Sequence, residues 1–178
     1  RAILHPRGGG GLRRRDRLSR LLEGPPDLAP WLGPGKGLIG LDLGTRTIGV
    51  AVSDTRRSIA TPLETLKRGK FTADAQKLAA IAEGRGAAGF VIGLPRNMDG
   101  SEGPRAQASR AFGRNLARAT GLPVALWDER LSTAAVEREV IEADAARRRR
   151  GEVVDRMAAA FILQGALDRL SRDARTTS

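Results

Sequence analysis

The sequence predicts an α/β fold in which a mixed five-stranded sheet carries helices on both faces. Several short apolar runs are bounded by Gly or Pro, which is typical of strands buried in a sheet. The second run follows the first after a turn too short for a crossover, so these two strands are expected to pair as an antiparallel hairpin. The later strands alternate with helical segments, which indicates right-handed parallel crossovers.

Local patterns along the chain define the individual elements. Pro62 keeps the third strand at the sheet edge, and Ser101 and Ser132 are predicted to cap the helices that follow them. The predicted strands span 38–45, 47–54, 59–66, 89–95 and 123–129. The predicted helices span 73–84, 102–120, 132–144 and 152–170.

The composition excludes several classes of protein. The chain has 178 residues, of which 40% are hydrophobic and 29% charged, and this is enough apolar material for one domain core. The lack of Cys excludes disulfides, thiol catalysis, zinc fingers and iron–sulfur clusters, and a single His, His5, excludes a Ser-His-Asp triad. Because no apolar run has the roughly 18 residues of a membrane span, we expect a cytoplasmic protein without a membrane partner.

The charge distribution predicts both a partner and a tail. A net charge of +11 points to a polyanion such as a nucleic acid. Residues 1–36 combine Gly, Pro and Arg and can bury little apolar surface, so we expect a basic, disordered tail before a single domain over 37–178. This tail is expected to add non-specific affinity and to be dispensable for folding.

Asp42 is the first candidate for chemistry, because it is an acid within a buried strand. Burying an unpaired carboxylate is costly, and Gly40 and Gly44 on the same face leave space beside it for a ligand or metal. A cap on the following turn is the alternative. An Asp between such glycines is found in the phosphate-binding hairpin of actin-like ATPases and sugar kinases, and an Asp on the first strand is found in RNase H-like nucleases. The kinases need two such lobes, so the length of this chain favours the nuclease fold.

Two further acidic positions are predicted to reach the same end of the sheet. Asp128 and Glu129 end an apolar strand, where open α/β sheets bind their ligands, and strand alternation lets only one of the two face Asp42. Asp155 lies on the apolar face of the last helix, one turn from its start. The simpler alternatives are an ion pair with Arg130 for the adjacent acids and a helix-dipole role for Asp155.

A cluster of carboxylates without His or Cys predicts Mg²⁺ or Mn²⁺. Carboxylates that converge in one cleft repel each other unless a cation is bound, and hard oxygen ligands select these two ions. Two ions about 4 Å apart would bind a phosphodiester, one activating water and the other stabilising the leaving oxygen. The residues therefore predict phosphodiester hydrolysis of the two-metal-ion type.

Basic and polar residues near this cleft are candidates for substrate contacts. Arg96 and Asn97 follow the middle strand at the same sheet end, although a structural turn explains them as well. A run of four arginines precedes the helix of Asp155, where contact with a phosphate backbone competes with simple solvation. This run comprises Arg147, Arg148, Arg149 and Arg150.

Four segments, in order, resemble one family. They are GLIGLDLGTRTIGVAVSD, VIGLPRNMDGSEGPRAQASRAF, LWDERLSTAAVE and VVDRMAAAFILQ, and they cover about residues 37–170. The chain resembles the YqgF/RuvX family of RNase H-like proteins, which are related to Holliday-junction resolvases and assigned to pre-16S rRNA processing. The resemblance implies a metal-dependent endonuclease with an acidic triad. The implied triad is Asp42, Glu129 and Asp155, with Asp128 as the alternative ligand and Thr45, Arg46, Asn97 and Arg130 on the substrate side.

The residues leave the natural substrate open between structured RNA and branched DNA. We expect 5′-end processing of pre-16S rRNA in ribosome biogenesis, with ribosomal particles as further partners. A resolvase acting on four-way DNA junctions is the alternative, because both substrates present a bent phosphate backbone. A nucleic-acid-binding module with little turnover is the third hypothesis, and the chain could act as a monomer or a homodimer.

Overall fold

A computed structural model of the protein describes residues 20–131 and 152–177. Its strands are β1 (Leu21–Leu22), β2 (Leu38–Leu43), β3 (Thr47–Ser53), β4 (Ala60–Lys67), β5 (Gly89–Leu94) and β6 (Val124–Asp128). Its α-helices are α1 (Phe71–Arg85), α2 (Pro104–Thr120) and α3 (Glu152–Thr176), and short 3₁₀ turns span Pro25–Trp31 and Glu129–Leu131. The strands form one sheet in the order β1-β6-β5-β2-β3-β4.

The pairing of the strands places the carboxyl ends of three parallel strands next to one another. β2 runs antiparallel to β3, as predicted for the hairpin, and β3 runs antiparallel to β4. β5 pairs parallel with both β2 and β6. The carboxyl ends of β2, β5 and β6 therefore meet, which is where open α/β sheets bind ligands. The prediction of a mixed sheet is confirmed.

Two apolar layers cover the sheet, one on each face. Alternate residues of the central strands, such as Leu41 and Ile92, pack towards α1 and α2. The residues between them, such as Val91 and Trp127, pack towards α3 and the 3₁₀ turn at Pro25–Trp31. We call these the α2 face and the α3 face. The predicted helices on both faces are confirmed.

The sheet has six strands rather than the predicted five, because part of the predicted tail belongs to it. Leu21 and Leu22 pair in parallel with β6, and Leu28 is fully buried beside the residues of α3. The tail prediction is therefore wrong for residues 20–36, whose few leucines find apolar partners on the domain. Residues 1–19 lie outside the described part of the chain.

Element boundaries agree with the predictions to within a few residues, apart from one cap and one helix end. The helix predicted from residue 102 begins at Pro104, with Gly103 at the cap position. Pro is well suited to the first turn of a helix because its missing N–H has no partner there in any case. The prediction of Ser101 as a cap is wrong, and the last helix continues to Thr176. The helix predicted at 132–144, with its cap Ser132, lies outside the described residues.

Candidate active site

Asp42 lies at the carboxyl end of β2 on the α3 face, and only 7% of it is exposed. Gly40, two residues earlier on the same face, lies directly beneath α3. A Cβ atom at Gly40 would be 2.6 Å from the Cβ of Leu163 and 2.8 Å from the carbonyl oxygen of Ala159. The glycine therefore lets α3 approach the sheet closely. Asp42 is the next residue of β2 on the same face.

The strands on both sides of Asp42 present a glycine beside it. Gly49 of β3 pairs in register with Asp42. Gly93 of β5 comes one residue after the partner of Leu41, so it occupies the neighbouring position on the other side. Opposed residues on adjacent antiparallel strands have Cα atoms about 4.5–5.5 Å apart. Asp42 is thus flanked on the α3 face by two positions that lack side chains.

Each of these glycines leaves its space to another predicted site residue. A Cβ atom at Gly93 would collide with Oε1 of Glu129, and one at Gly49 would collide with the main-chain carbonyl of Asp155. Glu129 reaches this position because the chain turns into a 3₁₀ turn directly after β6. The three acids of the predicted triad therefore lie side by side over one stretch of the α3 face.

The acids are neighbours rather than a closed cage of ligands. Across residues 20–131 and 152–177, no three acidic side chains are close enough together to hold a metal ion as they stand. Oδ2 of Asp155 accepts a 2.6 Å hydrogen bond from the hydroxyl of Thr47 on β3, which ties the carboxylate to the sheet. Carboxylate oxygens are nevertheless the ligand type that a hard divalent cation prefers.

Asp128 lies on the opposite face from Asp42. It pairs in register with Leu94, whose side chain packs in the α2 layer. Its carboxylate accepts hydrogen bonds of 2.7 and 3.1 Å from Arg130 and lies 3.6 Å from a guanidinium nitrogen of Arg96. The hydrogen bonds from Arg130 hold the pKa of Asp128 below its usual value. The structure does not bring Asp128 to the other acids, because strand alternation turns it away.

The α2 face continues as a chain of paired charges. Arg96 contacts Glu102 at 3.2 Å, and Arg110 donates hydrogen bonds of 2.7 Å to both carboxylate oxygens of Glu102. Arg110 also donates to both oxygens of Glu23, at 2.8 and 3.0 Å. These hydrogen bonds lower the pKa of Glu102 and of Glu23 and raise that of Arg110. The network connects the residues after β1 with the end of β6.

The predicted substrate-side residues fall into four groups. Thr45 and Arg46 are exposed in the β2–β3 turn, beside Asp42. The guanidinium groups of Arg96 and Arg130 are engaged by Asp128, so the structure gives both a structural role, and substrate contact stays a prediction. Asn97 closes a turn, because its side-chain amide donates 2.9 Å to the hydroxyl of Ser101. The run of four arginines at 147–150 lies outside the described residues.

Sequence reasoning missed the residues that support the acids. Thr47 holds Asp155, and Gly49 and Gly93 leave the room that Glu129 and the start of α3 occupy. The signal was present in part, since a Gly in the middle of a strand often marks a close approach. Which group approaches each glycine depends on strand register, which a single sequence does not show.

Comparison with solved structures defines the class of protein. Thermus thermophilus RuvC, in a structure described as a complex with a Holliday junction substrate, superposes with a TM-score of 0.51 at 13% identity. The match covers 76% of this chain and 96% of that chain. The predicted RNase H-like fold is confirmed.

Comparison of sequences gives the family within that class. The family model described as "RuvX: Holliday junction resolvase" matches residues 36–169, so this chain belongs to the RuvX family. A relative from Rhodospirillum rubrum is 67% identical over 142 residues, which are 79% of this chain and 88% of that protein. One from Rhodopseudomonas palustris is 66% identical over 139 residues, or 78% and 87% of the two chains. Both carry the name "Putative pre-16S rRNA nuclease".

None of the described helices is both long enough and apolar enough to span a membrane.

Proposed function

We propose that this protein is a metal-dependent endonuclease that cleaves structured nucleic acid, and that its substrate is the precursor of 16S rRNA. The names of the relatives support the substrate, and the description of the family supports the reaction. The observation that carries the proposal is the placement of Asp42, Glu129 and Asp155 over one stretch of the α3 face. We also place the activity in the cytoplasm, on or near ribosomal particles.

The three acids have distinct positions in the proposed site. Asp42 is central, and Asp42, Glu129 and Asp155 are the residues that would hold Mg²⁺ or Mn²⁺. A bound pair of these ions would supply an activated water and stabilise the leaving oxygen. The hydroxyl of Thr47 on β3 donates a hydrogen bond to one oxygen of Asp155 and so orients the carboxylate of Asp155 relative to the sheet. The net charge of +11 attracts the phosphate backbone to the protein as a whole.

The substitution Asp42→Asn tests the proposed chemistry. The amide keeps the size of the carboxylate but not its charge, so cleavage should fall by several orders of magnitude. Binding of the same substrate in EDTA should persist or tighten, because one negative charge facing the phosphates is gone. Without metal, the free energy of unfolding should be unchanged or higher, since repulsion between carboxylates is relieved.

The control for this test is Asp27→Asn, an exposed acid in the 3₁₀ turn at Pro25–Trp31. It removes the same charge from the protein and should leave the cleavage rate unchanged. An Asp42→Asn protein that cleaves as fast as wild type, with the same metal dependence, would contradict the proposal. Loss of stability with full activity per folded molecule would show that Asp42 is a structural cap.

The substrate is tested by offering both candidates to one preparation of the enzyme. We expect cleavage near the 5′ end of a 16S precursor, and accumulation of such precursors when the protein is depleted from cells. Wild type should reverse this accumulation and Asp42→Asn should not. The description of the family favours a four-way DNA junction as the second candidate, and cleavage of the junction alone would select it. Binding of both substrates without turnover of either would contradict an enzyme.

A further inference from the structure

A cavity lies on the α2 side of the β2–β3 turn, across that turn from Asp42. It has a volume of about 70 Å³ and is open to solvent. Among the described residues that line it, Arg68 and Arg105 are charged and no acid is present. Gly44 and Thr45 of the turn and the buried Ser109 of α2 complete its polar surface.

Arg68 is held in place by contacts on several sides. Its backbone N–H donates to the carbonyl of Arg46 at 2.8 Å, and its Nη1 donates to the carbonyl of Gly44 at 2.7 Å. Its guanidinium lies over the ring of Phe112, with the carbon of the group 5.5 Å from the ring centroid. The next residue is also fixed, because the N–H of Gly69 donates to the buried Asp74. Arg68 is therefore oriented before any ligand binds.

Arg105 lines the same cavity from the first turns of α2. The main-chain carbonyl of Arg105 accepts a 3.0 Å hydrogen bond from Ser109, one turn further along the helix. Two arginines line one cavity with no acid among its lining residues, so the cavity favours an anion. Arg presents a planar fork of donors that matches the oxygens of a phosphate.

We propose that this cavity is a subsite for a backbone phosphate of the bound nucleic-acid strand, held by Arg68 and Arg105. The proposal rests on the proposed function, because the strand that fills the subsite is the one presented to Asp42. Thr45 follows Asp42 by three residues, a distance of at most about 11 Å along an extended chain. The subsite phosphate is thus a near neighbour of the phosphate that is cleaved.

The position of the subsite also specifies the shape of the substrate. Asp42 faces the α3 side of the sheet, whereas the cavity lies on the α2 side of the same turn. A strand that occupies both must bend around the turn at residues 44–46. The enzyme therefore selects a nucleic-acid strand that extends beyond the cleaved bond and can bend between that bond and the subsite.

The test compares two double variants that remove the same charge. Arg68→Gln with Arg105→Gln removes the subsite, and Arg114→Gln with Arg118→Gln removes two exposed arginines from a later part of α2. Binding of a labelled structured RNA is measured in EDTA over a range of salt concentrations. We expect the subsite variant to bind at least about tenfold more weakly than the control, with a log K against log salt slope smaller by about 0.7–0.9 per lost phosphate contact.

Cleavage kinetics give a second readout. The subsite variant should raise KM and leave kcat at saturation nearly unchanged, because the subsite contacts the strand away from the cleaved bond. Shortening the RNA step by step on one side of the cleavage site should raise the KM of wild type until it equals that of the variant. Equal weakening by both double variants would overturn the proposal, because the effect would then be one of net charge alone.

Two further variants keep the test valid if Arg68→Gln fails to fold. Arg105→Gln alone should still weaken RNA binding. Arg68→Lys keeps the charge but lacks the paired donors of a guanidinium, so it should weaken RNA binding as well. Normal binding by both would overturn the proposal. A melting temperature raised by inorganic phosphate, combined with an unchanged RNA salt slope in the variant, would assign the cavity to a free anion and also overturn it. A wild type that binds RNA at the subsite but never cleaves would instead contradict the proposed function alone.

Discussion

The acidic residues at the carboxyl ends of the parallel strands have different surroundings on the two faces of the sheet. On the α3 face, Asp42 lies between two glycines, and Glu129 and the start of α3 occupy the space that these glycines leave. On the α2 face, Asp128, Glu102 and Glu23 are each bound by an arginine. One face gathers three acids beside two strand glycines, and the other pairs each of its acids with an arginine.

The contrast is sharpest between the adjacent residues Asp128 and Glu129. Asp128 is the last residue of β6 and points to the α2 face, where Arg130 binds it. Glu129 is the first residue after the strand, and its carboxylate lies over Gly93 on the α3 face. The pleat of one strand therefore separates a structural acid from a candidate metal ligand. Residue type alone does not distinguish them.

The largest expected effect on stability comes from filling the glycine position beside Asp42. A Cβ atom at Gly49 would collide with the backbone of Asp155, and a helix backbone cannot move aside as a side-chain tip can. Gly49→Ala should therefore cost about 3 kcal/mol in the free energy of unfolding, the upper end for overpacking. Denaturant unfolding measures this cost.

The matched control is Gly84→Ala on α1, where a Cβ atom meets no atom within 4 Å. This change should stabilise the protein by about 0.5–1 kcal/mol, because Ala is preferred in helices. Equal stability of the two variants would mean that α3 does not rest on Gly49.

The next effect is stabilisation by a divalent ion, which should act on the α3 face alone. Mg²⁺ or Mn²⁺ at 100 times its Kd should stabilise the folded protein by about 2.7 kcal/mol. Thermal melts with and without metal measure this shift. Asp42→Asn should remove most of it, and Asp128→Asn should retain it. A shift that disappears in Asp128→Asn instead would place the ion on the α2 face.

The smallest effect concerns the paired charges of the α2 face. Hydrogen bonds from arginines lower the pKa values of Glu23, Glu102 and Asp128 in the folded protein. This stabilisation is present above the ordinary values of 4.5 for Glu and 3.8 for Asp, and it is lost as the pH falls through the lower folded values. The free energy of unfolding of wild type should therefore fall below about pH 5.

Arg110→Gln removes the residue that joins Glu23 to Glu102, so its stability should depend less on pH over this range. It should be less stable than wild type at pH 7, and the two proteins should converge in acid. Arg114→Gln serves as the control on the same helix and should follow the wild-type curve. Parallel curves for Arg110→Gln and wild type would show that the network contributes nothing to folding.

The sequence predicted the hairpin, the parallel strands and the three acidic positions because each has a local signal, whereas the choice of Asp42, Glu129 and Asp155 as a triad came from the family resemblance. A carboxylate inside an apolar strand, as at Asp42, is visible in a single sequence. The two-residue strand β1 was missed because it is too short for a period and its stability comes from pairing with β6. Arg68 was missed because its position depends on Gly44 and Phe112, which are distant in sequence.

The choice between Asp128 and Glu129 needed the register and the end point of β6, which sequence patterns locate only to within a few residues. The predicted cap at Ser101 failed for a related reason. Pro104 fixes the helix start on its own, and Ser101 instead binds Asp99 within the preceding turn. Local sequence signals therefore identified the acidic positions. The face of the sheet on which each acid lies depends on the strand pleat and on packing.

The most direct test of the assignment compares Glu129→Gln with Asp128→Asn in one cleavage assay at saturating metal and substrate. Each variant replaces a carboxylate by the matching amide, and the two positions are adjacent in the chain. Glu129→Gln should lower kcat by at least about 100-fold, as expected for the loss of a ligand to the ions that activate water and stabilise the leaving oxygen. The kcat of Asp128→Asn should stay within about tenfold of wild type, as expected for a residue that binds neighbouring arginines and does not contact the ions or the substrate. The opposite ranking, or equal losses, would contradict the division of the acids between the two faces.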